Sequence, residues 1–229
     1  MSSPSEAQGS VEVVVSSPIV RENETEKKVS PEGALDELLA GNRRFTSGRT
    51  SSHRRDLAIL QQMMERPEPF AAILSCADSR VPVEVVFDQT IGQLFVTRLA
   101  GNIVTTEIIA SLEYAAAVLG THTIVVMGHS SCGAVTAAIQ ASTQASMAAS
   151  DQAVVPGQIS ALFPYIKDAV EQAGPDVDAT VRANVLIQAA RLRKASPLLS
   201  NLIAEGKLTV AAAYFDIRSG AVSLLEQSV

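Results

Sequence analysis

The sequence predicts an α/β fold: a mainly parallel central sheet with an antiparallel edge strand, helices on both faces, and an N-terminal helical arm. Three observations predict it. Continuously apolar runs of strand length, such as 70–75 (FAAILS) and 123–127 (TIVVM), alternate with segments of helical period. The stretch from Tyr114 to Ser150 carries no Asp, Glu, Lys or Arg, yet Gly, Ser, Thr and His interrupt it, as in a buried α/β core. Near the C-terminus, apolar runs at 208–215 and 221–225 flank a turn at Arg218-Ser219-Gly220, which reads as a closing hairpin.

Residues 1–29 are rich in Ser, Glu, Pro and Val without helical period, and are expected to form a flexible arm. Residues 30–229 are expected to form a single domain. Order begins at Ser30-Pro31, an N-cap followed by proline in the first turn. Ala34, Leu35, Leu38 and Leu39 then recur at helical spacing, and Gly41 is expected to end the helix. Leu57 to Met64 reads as a second helix, stopped by Pro67 and Pro69. The first strand is Phe70–Ser75, Pro82–Val86 is one helical turn, and Leu94–Thr97 is the second strand. A helix over Thr105–Leu119 stops at Gly120, and Thr123–Met127 is the third strand. An Ala-rich helix covers Ala134–Ala148, and two more helices span about Ile159–Ala173 and Asp178–Ser196. Leu208–Phe215 and Ala221–Leu225 are the last two strands, and there is no internal repeat.

Composition narrows the function. The 229 residues carry 18 Lys plus Arg against 24 Asp plus Glu, a net charge of −6, which argues against nucleic-acid binding. Aromatics are 4% and Trp is absent, so stacking platforms are not expected either. Two cysteines cannot build a disulfide framework. No apolar run is long enough for a membrane helix, and the first twenty residues lack the basic start and apolar run of a signal peptide. A cytoplasmic protein is the default expectation.

In open parallel sheets, sites form beyond the carboxyl ends of the strands. Two polar segments fall there: Cys76-Ala77-Asp78-Ser79-Arg80 after the first strand and His129-Ser130-Ser131-Cys132-Gly133 after the third. Together they hold both cysteines and one of the three histidines. His129-x-x-Cys132 has the short spacing of zinc ligand pairs, and Cys76 meets it through the fold. Three protein ligands leave a tetrahedral zinc one position short, the arrangement of catalytic sites. Water or the Asp78 carboxylate can fill that position. Arg80, two residues on, can hold Asp78 off the metal through a bidentate pair. With Asp78 held, the site is open; with Asp78 released, it closes. His53 and His122 lack partner motifs and read as a loop residue and a strand-entry residue. A nucleophile elbow fails at Cys132, which stands where the closing glycine belongs, and a phosphatase loop fails at Pro82.

At these residues the sequence resembles the β-class carbonic anhydrases. The likeness extends through Gly92-x-Leu94-Phe95-Val96-x-Arg98, Ala100-Gly101-Asn102 and Glu113-Tyr114-Ala115, and covers about residue 30 to the end. It implies zinc as cofactor, held by Cys76, His129 and Cys132, with Asp78 and Arg80 as the catalytic dyad that orients a hydroxide for attack on carbon dioxide. It implies Phe95, Ala100 and Tyr114 around the substrate, the Gly133 N–H orienting it, and a homodimer or dimer of dimers with the pocket at a subunit interface. Pro67 stands where the plant-like branch has a substrate-orienting Gln, and Ala100 stands where it has Val. Ile73 stands where the allosteric branch has the Trp of a noncatalytic bicarbonate pocket. Carbon disulfide or carbonyl sulfide hydrolysis on the same scaffold, and a noncatalytic bicarbonate-sensing protein closed by Asp78, are the alternative expectations.

Overall fold

The computed structural model describes residues 30–51, 57–64, 68–144 and 156–225. The expected arm (1–29), His53, Pro67 and the end of the Ala-rich helix lie outside them. Among the described residues no helix is long and apolar enough to cross a membrane.

Among the described residues, five strands form one sheet: β1 (Ala71–Ser75), β2 (Leu94–Arg98), β3 (Thr123–His129), β4 (Thr209–Phe215) and β5 (Val222–Leu224), in the order β2-β1-β3-β4-β5. The first four are mutually parallel and β5 is antiparallel to β4, as the apolar runs and the closing hairpin predict. Alternation along each strand sends side chains to two cores. Ala72, Leu74, Ile124, Val126, Val210 and Ala212 face one core. Ala71, Ile73, Val125, Met127, Ala211 and Ala213 face the other.

Helices α1 (Pro31–Thr46) and α3 (Val83–Val86) cover the second face through Leu38, Val83 and Val86. The first face carries α4 (Thr106–Ala117), α5 (Gly133–Gln144), α6 (Phe163–Ala173), α7 (Val177–Arg193) and α8 (Pro197–Ala204). Helix α2 (Leu57–Gln62) keeps Leu57 and Leu60 at least half exposed.

Three boundaries differ from the sequence reading by more than two residues. Helix α1 starts as expected, with the Ser30 side chain accepting from the Gly33 N–H at 3.1 Å, but it runs through Gly41 to Thr46. Gly41 is a contact residue there, not a stop: a Cβ would lie 1.8 Å from the Phe87 carbonyl oxygen. The segment expected as one helix from Ile159 is a short 3-10 turn (Ile159–Leu162) before α6, with Pro164 in the first turn of α6. The helix expected to reach Ser196 ends at Arg193, and α8 follows it. Ser196 caps α8 by accepting from the Leu199 N–H at 3.3 Å, with Pro197 in the first turn.

Candidate metal centre

Strands β1 and β3 are direct neighbours in parallel register, with Ser75 opposite Met127, so their carboxyl ends finish side by side. Cys76 follows β1 immediately. His129 is the last residue of β3, still inside the strand rather than beyond it. Cys132 sits at the start of α5, where its carbonyl accepts from the Thr136 N–H at 3.0 Å. The turn between is made by Ser131 at φ 54, a left-handed conformation that folds the chain back over the strand end.

These three side chains converge. One ligand atom from each of Cys76, His129 and Cys132 lies within 4.8 Å of the others, and all three residues are buried. The two sulfurs are 3.9 Å apart. Two zinc–sulfur bonds of about 2.3 Å at a tetrahedral angle span about 3.8 Å, so the pair is spaced for one metal. His129 Nδ1 meets the Ser130 carbonyl at 2.9 Å, a contact only the Nδ1–H tautomer satisfies. That leaves Nε2 free to ligate, and among the described residues it is buried without a hydrogen-bond partner. A buried polar atom with nothing to bond is costly unless a ligand completes it. The donor set therefore fits zinc.

Electrostatics point the same way. The Cys76 and Cys132 thiols lie close enough to act on each other's ionisation. Cys76 is pulled down to about 4, by the Cys132 S–H first and then by His129 and the Gly101 N–H, against the cost of burial. The resulting charge, together with burial, pushes Cys132 up. Burial opposes charge on His129, but the Cys76 thiolate and the Ser130 carbonyl raise it on balance. A metal cation held by these residues would take the place of thiol protons.

Asp78 stands beside the cluster, its Oδ2 3.8 Å from His129 Nε2. It is turned towards Arg80, which donates to Oδ1 from Nε (2.9 Å) and to Oδ2 from Nη2 (2.7 Å), with the Arg80 backbone N–H on Oδ1 (2.9 Å). That pairing holds the carboxyl well below its ordinary range. Arg80 Nη2 also donates to the Ser131 carbonyl at 3.2 Å, tying the β1 loop to the β3 loop.

A family model described as carbonic anhydrase matches residues 71–222. The chain belongs to the β-class carbonic anhydrases. This family comprises carbonate dehydratases, and its relatives match at useful length. Carbonic anhydrase 2 of Mycobacterium tuberculosis is 35% identical over 208 residues, covering 83% of this chain and 91% of its own. A carbonic anhydrase of Pseudomonas aeruginosa is 37% identical over 179 residues, covering 73% and 78%. Among solved structures, the β-carbonic anhydrase CcaA superposes with a TM-score of 0.64 at 23% identity, over 85% of this chain and 92% of that one. The Coccomyxa β-carbonic anhydrase in complex with acetazolamide gives 0.62 at 25%, over 84% and 86%.

The residues a carbonic anhydrase is expected to use around its substrate are more scattered. Phe95 on β2 and Tyr114 on α4 face each other with ring centres 6.5 Å apart, and Tyr114 is half exposed. Ala100 opens the 3-10 turn after β2, and Gly133 is the first residue of α5. A recess of about 390 Å³ opens at Ser131, lined by Thr136, Asp176, Val177 and Asp178. Its two carboxylates make it a poor seat for bicarbonate. His122 is at the entry to β3, with Nδ1 3.3 Å from the Lys207 carbonyl, and plays no part in the centre.

Sequence reasoning missed the supports. Arg98 donates to the Cys76 carbonyl at 3.0 Å and to the Asp78 carbonyl, fixing the loop that carries both residues. Ser130 is pinned to the end of the neighbouring strand β4 and the residues just past it: its N–H donates to the Phe215 carbonyl and its Oγ accepts from the Ile217 N–H, both at 2.9 Å. Asn184 and Gln188 on α7 are buried completely. The signal for the last two is the recurrence of Thr180, Asn184 and Gln188 every four residues on the core face of one helix.

Proposed function

We propose that residues 30–229 act as one zinc-dependent domain that hydrates carbon dioxide reversibly to bicarbonate and a proton. The observation that carries this reading is the convergence of Cys76, His129 and Cys132 beside an Asp78 that Arg80 holds in a bidentate pair. Zinc bound by those three residues supplies the Lewis acidity that brings the pKa of a water to about 7, an effect for which carbonic anhydrase is the standard example.

The chain's own residues do the rest. Asp78, kept ionised by Arg80, accepts a hydrogen bond from the attacking hydroxide and so aims its lone pair at carbon. Its pairing with Arg80 supports an open site over one closed by Asp78. Phe95, Ala100 and Tyr114 hold a small apolar molecule without strong polar contacts, and the Gly133 N–H at the start of α5 orients one of its oxygens. The proton leaves to solvent or buffer. Assembly as a homodimer or dimer of dimers is part of the proposal, supported by the tetrameric Sordaria macrospora β-carbonic anhydrases that share the fold. Two thiolate ligands favour a reducing compartment, the cytoplasm.

The test is stopped-flow carbon dioxide hydration on the zinc-replete chain, paired with carbon disulfide hydrolysis. Rapid hydration is expected, and a preference for the sulfur substrate would overturn the assignment. Asp78→Ala should keep its zinc and lose about 10²–10⁴-fold in turnover. Near-normal turnover in that variant would remove Asp78 from the reaction.

A further inference from the structure

The turn after β2 lies directly over the metal cluster. Gly101 adopts φ 78 there and aims its N–H at Cys76 Sγ, 3.4 Å away. The other side of the Gly101 residue is held from α7: Asn184 Nδ2 donates to its carbonyl at 2.9 Å. One helical turn on, Gln188 Nε2 donates to Asn184 Oδ1 at 3.0 Å and to the Tyr165 carbonyl at 2.9 Å. Gln188 Oε1 accepts from the Val104 N–H at 2.9 Å, gripping the backbone two residues past that turn. Every nitrogen and oxygen of the two side-chain amides is thus bonded, and both residues are fully buried.

Leucine or methionine would fill this space without the desolvation cost of two amides. What the amides add is direction. They fix how the Gly101 and Val104 backbone is turned, and only one orientation sends the Gly101 N–H to sulfur. Such a bond draws charge from a thiolate and locks its rotamer, as outer partners of metal ligands do. Gly101 itself has little room to shift, since a Cβ there would lie 2.9 Å from Ile166 Cδ1.

We propose that Asn184 and Gln188 form a positioning pair for the metal centre: they hold Gly101 so that its N–H donates to the Cys76 sulfur. This rests on the reading of Cys76 as a zinc ligand. The experiment withdraws zinc from the full-length holoprotein with a chromophoric chelator, for wild type, Asn184→Leu, Gln188→Met and Asn42→Leu. Asn42 is an equally buried amide on α1, bonded to the Val86 and Gly220 carbonyls away from the cluster. Asn184→Leu should weaken zinc binding about 10–100-fold and Gln188→Met less, whereas Asn42→Leu lowers stability and leaves zinc affinity unchanged. After exchange of zinc for Co²⁺, the sulfur-to-cobalt absorption should shift in the two α7 variants and not in Asn42→Leu.

Wild-type affinity and absorption in folded Asn184→Leu would overturn the proposal. So would an equal loss of affinity in Asn42→Leu. If Asn184→Leu does not fold, Gln188→Met decides by the same two readouts. Cys76→Ser that binds zinc as tightly as wild type would instead sink the ligand reading beneath it.

Discussion

Two buried polar clusters, one under α1 on a face of the sheet and one at the carboxyl ends of β1 and β3, are built to different rules. Under α1, Asn42 donates to the Val86 and Gly220 carbonyls and accepts from the Val222 N–H at 2.8 Å. Beside it, the fully buried Asp88 accepts from Arg44 Nε at 2.6 Å and from the Ser51 N–H at 2.9 Å. Each of these groups has its partner within the chain. Beyond β1 and β3, His129 Nε2 has none among the described residues, and two buried sulfurs meet at 3.9 Å. A closed cluster fastens helix to sheet. An open one is poised for something that the chain does not itself supply.

The sharpest way to break that contrast is to remove a donor from the open cluster. Cys76→Ser should reduce bound zinc from one per chain to background and abolish hydration, while the fold persists. A full complement by metal analysis would show that the sulfur is not a ligand. The closed cluster should fail in the opposite sense. Arg44→Met strands the Asp88 carboxylate and should cost about 2–4 kcal/mol, less than a wholly buried pair, because the Arg44 side chain is 31% exposed. Zinc content should not change, so a loss of zinc in that variant would erase the distinction between the two regions. Urea unfolding measures the first quantity and metal analysis the second.

The smallest effect is on acid stability. Burial pushes the Asp88 carboxyl up, but Arg44 and the Ser51 N–H hold it below its ordinary value. A carboxyl lowered in the folded state contributes stability that is present above the unfolded pKa of about 3.9 and is lost as pH falls through the folded value. Asp88→Asn should therefore unfold with a shallower dependence on pH below about 4 than wild type. An unchanged acid slope would remove Asp88 from the acid response.

How much of this was legible in the sequence depends on the range of the forces involved. Strands β1, β3 and β4 were readable because burial on both faces makes them continuously apolar. The start of α1 was readable because Ser30-Pro31 is a local signal. Its end was not: Gly41 resembles a stop, and only the Phe87 carbonyl pressed against it shows why glycine stands inside a helix. Helix α8 falls outside the sequence expectation although Ser196-Pro197 repeats the signal of Ser30-Pro31. The candidate ligand residues stood out because their residue types are rare in the chain and sit at strand ends. Asn184 and Gln188 carry no such mark, since amides are common on helices and gain a role only from what they face.

The sequence by itself determined the order of the strands and of most helices, the chemistry of Cys76, His129 and Cys132, and the pairing of Asp78 with Arg80 two residues away. These follow from side-chain type and short-range spacing, which the chain carries wherever it goes. Tertiary structure decided the 3.9 Å between two sulfurs from different loops and the aim of the Gly101 N–H at one of them. It also decided which buried cluster is closed and which is left open. Those depend on β1 and β3 lying side by side and on α7 packing over the turn, and contacts between distant segments are set only when the whole sheet has formed.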